Sequence, residues 1–123
     1  MIVGVGVDLT PISRMQRAFD AHPERLEARL FTDAERAYCR ARANSGQHFA
    51  ARFAAKEALL KALGVPEGLR WHELEVVNEA GGAPSFRLSG NAAAAATRAG
   101  IRKLHLSITH ADDSAMAFVV AES

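Results

Sequence analysis

The sequence predicts an α+β fold in which a small antiparallel sheet packs against a long central helix and several short helices. Two observations carry this prediction. Apolar residues alternate with polar ones or glycine near both ends of the chain, which is the period of a strand, and an uninterrupted helical stretch lies between them. The length of 123 residues and the apolar content of 49% predict one folded domain spanning residues 1–123.

The first predicted strand, Ile2–Leu9, alternates apolar residues with Gly4, Gly6 and Asp8. Its apolar side chains point to one face, so the other face is bare backbone that ends in a carboxylate. Glycines weaken a strand and usually mark close approach by a ligand or by another backbone. Asp8 is therefore either a well-held carboxylate where loops open a site or the cap of the following helix.

Short helices are predicted after this strand. Thr10–Pro11 is typical of a helix start, with a capping hydroxyl followed by a proline in the first turn. Arg14 and Arg17 face away from the apolar stripe of this helix and contribute to a basic surface. Pro23 interrupts the helix, and a second short helix is expected from there to Leu30.

The next two helices have boundary signals in the sequence. Thr32 and Glu35 have the spacing of a capping box, so a third helix should begin there and end near Ala43. Asn44–Gly46 is then expected to be a turn. Phe49–Leu63 is the longest run of strong helix formers, contains neither Gly nor Pro, and is followed by a glycine at the usual stop position.

This central helix has an unusual distribution of side chains. Six alanines share one broad side that suits close approach by another element: Ala50, Ala51, Ala54, Ala55, Ala58 and Ala62. Phe49, Phe53 and Leu60 form a bulky ridge on the other side of the helix. Arg52 and Lys56 flank one edge of this ridge, and Glu57 and Lys61 flank the other edge. An ordinary surface helix keeps its charges opposite its apolar stripe. The pattern indicates either the lip of a cleft or interface, or a packed helix with solvated cations and one Glu57–Lys61 pair.

The second half of the chain predicts a hairpin and a further helix. Trp71–Asn78 and Phe86–Leu88 are expected to pair as strands, joined by a tight connection that contains Gly82 and Pro84. Asn91–Ala99 is expected to be a helix that a glycine terminates.

The last two predicted strands are Lys103–His110 and Ala115–Ala121. In the first, His105, Ser107 and Thr109 share one face. Three hydrogen-bonding side chains in a row suit either a ligand-lined face or an exposed polar sheet face. The second strand is apolar and is predicted to be largely buried.

Composition excludes several classes of function. A net charge of +1 gives no reason to expect a nucleic-acid or membrane partner. Cys39 is the only cysteine, so neither an internal disulfide nor a cysteine-rich metal site is possible, which suits a reducing compartment. The N-terminal apolar run has no basic flank and is too short for a signal peptide or a spanning helix. We therefore predict a cytoplasmic protein.

Two carboxylates occupy special places in the predicted fold, Asp8 at a strand end and Glu57 on the central helix. They are too few to enclose a metal, but Mg²⁺ prefers one or two carboxylates, several waters and phosphate oxygens. The cations of the central helix could hold that phosphate, and His105 could transfer a proton near neutral pH. The residues thus suggest magnesium-assisted phosphoryl transfer. Another magnesium-dependent phosphate-ester enzyme, and an interaction module that binds an acidic partner through the arginine-rich first helix, remain alternatives.

Five blocks of the sequence resemble the holo-[acyl-carrier-protein] synthases, the small 4′-phosphopantetheinyl transferases. The blocks cover essentially the whole chain in order: Val3–Leu9, Phe31–Cys39, Arg52–Ala62, Asn78–Pro84 and His105–His110. The first and third, VGVGVDL and RFAAKEALLKA, are together very specific. The resemblance implies the 4′-phosphopantetheinyl transferase fold.

The resemblance also implies a reaction and a metal. The family moves the 4′-phosphopantetheine arm of coenzyme A to a serine of an apo acyl carrier protein, releases adenosine 3′,5′-bisphosphate and supports fatty acid biosynthesis. Asp8 and Glu57 align with the family's Mg²⁺ ligands. His105 is expected near the incoming serine, either as the base or as the group that positions a metal-bound water. The sequence does not choose between fatty-acid and polyketide carriers.

Substrate contacts and an assembly follow from the same resemblance. The residues expected to bind the coenzyme are Arg52, Lys56, Lys61, Gly82, Pro84, Ser107 and Thr109. Arg14 and Arg17 are expected to receive the acidic carrier protein. The family implies a homotrimer with active sites at subunit interfaces. The chain departs from the family at Ser114, where an aromatic is common, and at Val65–Gly68, so details of coenzyme contact differ there.

Overall fold

The computed structural model describes all residues, 1–123, and contains five strands and five α-helices. In chain order they are β1 (Ile2–Pro11), α1 (Ile12–Ala21), α2 (Arg25–Leu30), α3 (Asp33–Arg40), α4 (Ser45–Ala62), β2 (Leu74–Asn78), β3 (Pro84–Leu88), α5 (Gly90–Arg98), β4 (Lys103–Ala111) and β5 (Ser114–Glu122). A 3-10 helix at Trp71–Glu73 precedes β2.

The strands form two antiparallel sheets, one with the order β1-β5-β4 and one made of β2 and β3. Helix α4 packs across one face of the larger sheet, and the main apolar core lies between them. The predicted α+β fold, with a small sheet against a long central helix, is therefore confirmed. No helix combines the length and the apolar character that crossing a bilayer requires.

The contact between β1 and α4 is made through the glycine face of the strand. A Cβ atom on Gly4 would overlap the backbone carbonyl of Ala62, and one on Gly6 would overlap that of Ala58. The prediction that these glycines mark close approach is confirmed, and the approaching group is the backbone of α4. The alanine side of α4 also packs into the core as predicted, because small side chains let the helix lie close to the strand.

The other face of the larger sheet carries no helix, and we call it the outer sheet face. Its apolar members are Val3, Val5, Val7, Leu9, Met116, Phe118 and Val120, and its polar members include His105, Ser107 and Thr109. Val5 is 54% exposed and Phe118 is 46% exposed. The prediction that the last strand is largely buried is wrong for this face, because β5 alternates between the core and the open side.

Two predicted boundaries at α4 and α1 are also wrong. Helix α4 begins at Ser45, within the expected turn, and its Gly46 is buried against the side chain of Gln16. Helix α1 begins at Ile12, and Thr10–Pro11 belongs to β1. Tertiary packing overrides local helix signals in both places.

The N-terminus of α1 is capped from the far end of the chain. The backbone N–H of Ser13 donates to Asp113 Oδ1 at 2.9 Å, and that of Ile12 donates to the Asp113 carbonyl at 2.7 Å. The Ser13 hydroxyl donates to the second oxygen of the same carboxylate. Because Asp113 satisfies the free N–H groups of this helix, Asp8 is not its cap.

The capping box of α3 forms as predicted. Glu35 N donates to Thr32 Oγ1 at 3.2 Å, and Thr32 N donates to Glu35 Oε1 at 2.9 Å. The helix ends at Arg40, earlier than the predicted end near Ala43. The Glu35 carboxylate is buried, and it also accepts hydrogen bonds from residues outside its own helix.

Candidate active site

A cleft of about 460 Å³ lies between the end of β1, helices α1 and α2, and one side of α4. Its polar lining residues are Asp8, Thr10, Arg14 and Glu57. The remaining lining is mostly apolar and includes side chains of α1 and α2 together with those of Phe53 and Trp71. The cleft therefore combines two carboxylates and one guanidinium with an apolar wall.

Asp8 is held by residues on both sides of it. Thr10 Oγ1 donates to Asp8 Oδ2 at 2.9 Å, and Lys61 Nζ lies 3.5 Å from Asp8 Oδ1. Lys61 Nζ also donates to the Val7 carbonyl at 2.8 Å. An ionised carboxylate has about four lone-pair sites, so Asp8 retains acceptor capacity toward the cleft.

Glu57 faces the same cleft from α4. Its pKa is raised, first by burial and then by the negative charge of Asp8, while Lys61 acts in the opposite direction. The alternative of a Glu57–Lys61 ion pair on the helix surface is not formed, since the ammonium of Lys61 makes its ion pair with Asp8. Two carboxylates thus meet at one site with incomplete charge compensation.

This pair fits a divalent cation that also binds a substrate. The chain offers no group of three or more His, Cys, Asp or Glu side chains that could enclose a metal. Asp8 and Glu57 match the preference of Mg²⁺ for one or two carboxylates, with waters and phosphate oxygens completing the coordination. Burial and, second, repulsion from Asp8 raise the Glu57 pKa, and a bound cation would relieve that repulsion.

Lys56 does not reach the cleft. Its side chain is 0% exposed, and Nζ lies 2.8 Å from Glu35 Oε1 and donates to the Trp71 carbonyl at 2.9 Å. Burial lowers its pKa, and the charge of Glu35 opposes that shift. The predicted position at the lip of a cleft is wrong for Lys56, because its ammonium is enclosed and already paired.

Arg52 is also buried, at 4% exposure, so the predicted position at a cleft lip is wrong for it as well. Its guanidinium stacks on the Tyr38 ring, 3.9 Å from the centroid, and Nη2 donates to Asn78 Oδ1 at 2.8 Å. Asn78 Nδ2 in turn donates to the Gly82 carbonyl at 3.0 Å. Arg52 therefore ties the β2–β3 connection, which contains Gly82 and leads into Pro84, to the central helix.

His105, Ser107 and Thr109 lie on the outer sheet face, whereas Asp8 points to the inner face. In the ladder, Asp8 pairs with the buried Ala117 of β5, and β5 separates β1 from β4. Adjacent positions on a strand point to opposite faces. These three residues therefore do not line the Asp8 cleft of their own chain, and their expected contacts with the substrates stay predictions.

Of the two arginines predicted to receive the carrier protein, Arg14 lines the cleft and is exposed. Arg17 is exposed on α1 but does not line the cleft, and its charge acts on Asp113 instead. The Asp113 pKa is lowered, first by the hydrogen bond from the Ser13 side chain and to a smaller degree by Arg17. The structure thus brings Asp8, Glu57, Lys61 and Arg14 together and separates Arg17 from them.

Several residues that shape the site were not identified from the sequence. Glu35 was recognised only as part of a capping box, yet it also pairs with Lys56 and accepts from Val76 N at 2.9 Å. Glu27 is buried and accepts hydrogen bonds from two arginines of α3. Glu122 lies 2.5 Å from His105. Only the capping-box spacing gave any sequence signal, because the other contacts join distant segments.

Comparison with known proteins gives matches over nearly the whole chain. A family model described as the 4′-phosphopantetheinyl transferase superfamily matches residues 4–119. The chain is 51% identical over 125 residues to a holo-[acyl-carrier-protein] synthase of Anaeromyxobacter dehalogenans, covering 99% of this chain and 97% of that protein.

Solved structures with similar folds carry the same description. The crystal structure of holo-[acyl-carrier-protein] synthase from Neisseria meningitidis has a TM-score of 0.89 and 30% identity over 100% of both chains. The Helicobacter pylori synthase, in complex with coenzyme A, has a TM-score of 0.83 and 27% identity over 96% of this chain and 99% of that chain.

Proposed function

Because this chain belongs to the 4′-phosphopantetheinyl transferase superfamily, as one of its holo-[acyl-carrier-protein] synthases, we propose that it carries out a Mg²⁺-dependent transfer from coenzyme A to a serine of an apo acyl carrier protein. The serine oxygen attacks the phosphorus that bears the pantetheine arm. The bond from that phosphorus to the bridging oxygen breaks, adenosine 3′,5′-bisphosphate leaves, and the serine proton passes to a base. The acceptor is proposed to be a carrier of fatty acid synthesis.

The observation that carries the metal dependence is the pair of carboxylates, Asp8 and Glu57, that face one cleft. Asp8 and Glu57 would hold Mg²⁺, which would supply charge stabilisation to the pyrophosphate oxygens. The chain prepares this position, because Thr10 donates to one oxygen of Asp8 and α4 brings Glu57 to the same cleft. The donor assignment is supported by the Helicobacter pylori relative, whose structure is a complex with coenzyme A.

Lys61 is the cation proposed to hold a phosphate of the coenzyme. Its side chain is 49% exposed and its ammonium lies beside Asp8, so it can reach a substrate oxygen from its present position. The coenzyme contacts predicted for Arg52, Lys56, Gly82 and Pro84 stay predictions, and none of these residues lines the cleft. Lys56 instead donates to the carbonyl of Trp71, which lines the cleft, and Arg52 holds the β2–β3 connection through Asn78.

We propose that a second copy of the chain completes the site. The outer sheet face is apolar and exposed, and large exposed apolar faces usually become buried on assembly. Because β1 and β4 are opposite edges of the sheet, a head-to-tail contact brings β4 of one copy toward β1 of the next and can close into a ring. In the proposed homotrimer, His105, Ser107 and Thr109 enter the cleft of the neighbouring copy.

The basic rim of the cleft is the proposed carrier-protein surface. Arg14 lies at the cleft itself, and Arg17 extends the positive charge one turn along α1. An acidic carrier is steered by such charges, which affect the association rate more than the final affinity. The cytoplasmic location inferred from the sequence stays a prediction.

The reaction is tested by incubating the protein with coenzyme A, Mg²⁺ and apo acyl carrier protein, followed by mass spectrometry of the carrier. The expected result is a mass gain of one phosphopantetheine, with release of adenosine 3′,5′-bisphosphate. Excess EDTA should stop the transfer and added Mg²⁺ should restore it. No gain under conditions in which a known transferase works would contradict the proposal.

Asp8→Ala and Glu57→Ala separate the alternatives. Either substitution should abolish transfer while the fold survives, as judged by circular dichroism. If both variants instead keep full binding of the carrier and all function, the protein is an interaction module. Hydrolysis of coenzyme A without modification of the carrier would support a different phosphate-ester enzyme. Fatty-acid and polyketide carriers compared side by side determine which acceptor is preferred.

A further inference from the structure

We propose that Glu122 is a positioning residue for His105, an inference that rests on the proposed function. The two side chains meet on the outer sheet face, with His105 Nε2 2.5 Å from Glu122 Oε1. His105 pairs with Val120 between β4 and β5, and Glu122 follows two residues later on the same face. The contact is thus a diagonal pair of an antiparallel ladder, which long side chains can bridge.

The chemistry of the pair determines the state of the imidazole. The Glu122 pKa is lowered, first by its hydrogen bond with His105, so the carboxylate is ionised and can only accept. His105 Nε2 must then carry the proton and donate it. In the neutral ring the second nitrogen, Nδ1, holds the free lone pair.

Glu122 is itself anchored at the C-terminal end of β5, the central strand of the sheet. Its backbone carbonyl accepts from Arg102 N at 2.8 Å, and the charges of Lys103 and of the Met1 amino group stabilise its carboxylate. The His105 side chain is 43% exposed, so one side of the ring is open while Nε2 is occupied. Nδ1 is therefore the atom of His105 that faces the serine hydroxyl of the carrier, whether it takes the proton or orients the water that does.

The tautomer can be measured without any turnover. A long-range ¹H–¹⁵N spectrum of the neutral ring should show a protonated Nε2 and an unprotonated Nδ1 for His105 in the unaltered protein. Glu122→Gln should weaken this preference, because a neutral amide can donate as well as accept. A His105 ring that carries its proton on Nδ1 in the unaltered protein would overturn the proposal.

Kinetics provide a second readout. Glu122→Gln is expected to lower kcat by about tenfold or more with little change in KM for coenzyme A, since proton transfer by a positioned side chain contributes about 10²–10⁴-fold. In a His105→Ala background the same substitution should have no further effect, because the two residues act as one unit. Glu24→Gln, the same chemical change at an exposed position that does not contact the pair, is the matched control and should change kcat by less than about twofold.

The outcomes distinguish this inference from the proposed function. Equal losses from Glu122→Gln in both backgrounds, or loss of assembly in Glu122→Gln but not in Glu24→Gln, would give Glu122 a structural role and overturn the proposal. An unaltered protein that transfers nothing contradicts the proposed function instead. The tautomer of His105 then decides the inference about Glu122 by itself.

Discussion

At the scale of single residues, burial separates the charges of α4 into two groups. Lys56 is enclosed with Glu35, a pair whose loss of hydration must be offset by close contacts. Glu57 and Lys61, four residues apart on the helix, remain accessible from the cleft or from solvent. The enclosed pair fixes the wall of the site, and the accessible pair is available for substrate and cation.

Lys56→Met tests this division. Removal of one partner leaves the Glu35 charge buried without its cation, so the free energy of unfolding should fall by about 3–5 kcal/mol. Lys61→Met is the control and should cost no more than about 1 kcal/mol, because its ion pair is partly exposed. Urea denaturation measures both changes.

The same two variants distinguish wall residues from coenzyme contacts. Lys61→Met should raise KM for coenzyme A, whereas Lys56→Met, assayed where it is folded, should leave KM unchanged. A stable Lys56→Met protein with a raised KM would show that Lys56 contacts the coenzyme after all.

Glu57→Gln is predicted to stabilise the metal-free protein while abolishing transfer. The substitution removes the repulsion from Asp8 and the cost of burying a charge. Calorimetry at neutral pH should therefore give a higher Tm for the variant than for the unaltered protein. Mg²⁺ should raise the Tm of the unaltered protein but not that of Glu57→Gln.

The pH dependence of this effect has a definite sign. Because the folded pKa of Glu57 is raised above its usual value of 4.5, the contribution of its proton to stability is complete below that value and is lost as the pH rises through the folded pKa. The Tm advantage of Glu57→Gln should therefore grow as the pH rises across this window. A Tm advantage that is independent of pH would contradict this account.

At the scale of elements, the position of α4 against β1 determines where Glu57 lies relative to Asp8. The glycine face of β1 lets the backbone of α4 approach so closely that helix carbonyl groups lie where Cβ atoms on Gly4 and Gly6 would be. Asp8 continues that same inner face two residues after Gly6. Close packing of strand and helix therefore places both carboxylates in one cleft.

Gly6→Ala tests the importance of that approach. The added methyl group meets the backbone carbonyl of Ala58, which cannot turn away without breaking the helix, so destabilisation of about 1–3 kcal/mol or more is expected. Gly81→Ala is the matched control, because nothing lies within 4 Å of its added atom. Its effect should stay within about 0.5 kcal/mol. Similar losses in both variants would show that the contact is unimportant.

At the scale of the whole molecule, the larger sheet separates the proposed active residues into two half-sites. Asp8 and Glu57 lie on the helix side, and His105 lies on the outer sheet face. The isolated chain therefore cannot place His105 beside the carboxylates. Assembly through the outer sheet face is proposed to join half-sites from different copies.

Mixing two inactive variants tests this composite site. Asp8→Ala should be inactive alone and His105→Ala should retain at most about a hundredth of the unaltered rate, but their co-expression should restore activity. Each composite site takes Asp8 from one copy and His105 from its neighbour. In a randomly assembled ring each of the two is unaltered in about half of the sites, so about a quarter of the sites carry both unaltered residues. Transfer by the mixture at about a quarter of the unaltered rate is the expected result. A mixture as inactive as its components would contradict the composite site.

The local elements could be predicted from the sequence because their signals lie within a few residues. The strand period of Ile2–Leu9, the capping box at Thr32 and the alanine side of α4 each depend on short spacings. The family, and with it the enzyme class, followed from motifs such as VGVGVDL and RFAAKEALLKA. Asp8 and Glu57 were identified in the same way, and the structure places both at one cleft.

Tertiary structure alone decided which faces and charges are enclosed. A period of two shows that the valines of β1 share a face, but it does not show that the glycine face is the inner one. The cap of α1 comes from Asp113, about a hundred residues from the helix it caps. Lys56 and Lys61 are alike in sequence terms, and only packing buries the first and exposes the second. Burial depends on contacts between distant segments, which local periodicity does not encode.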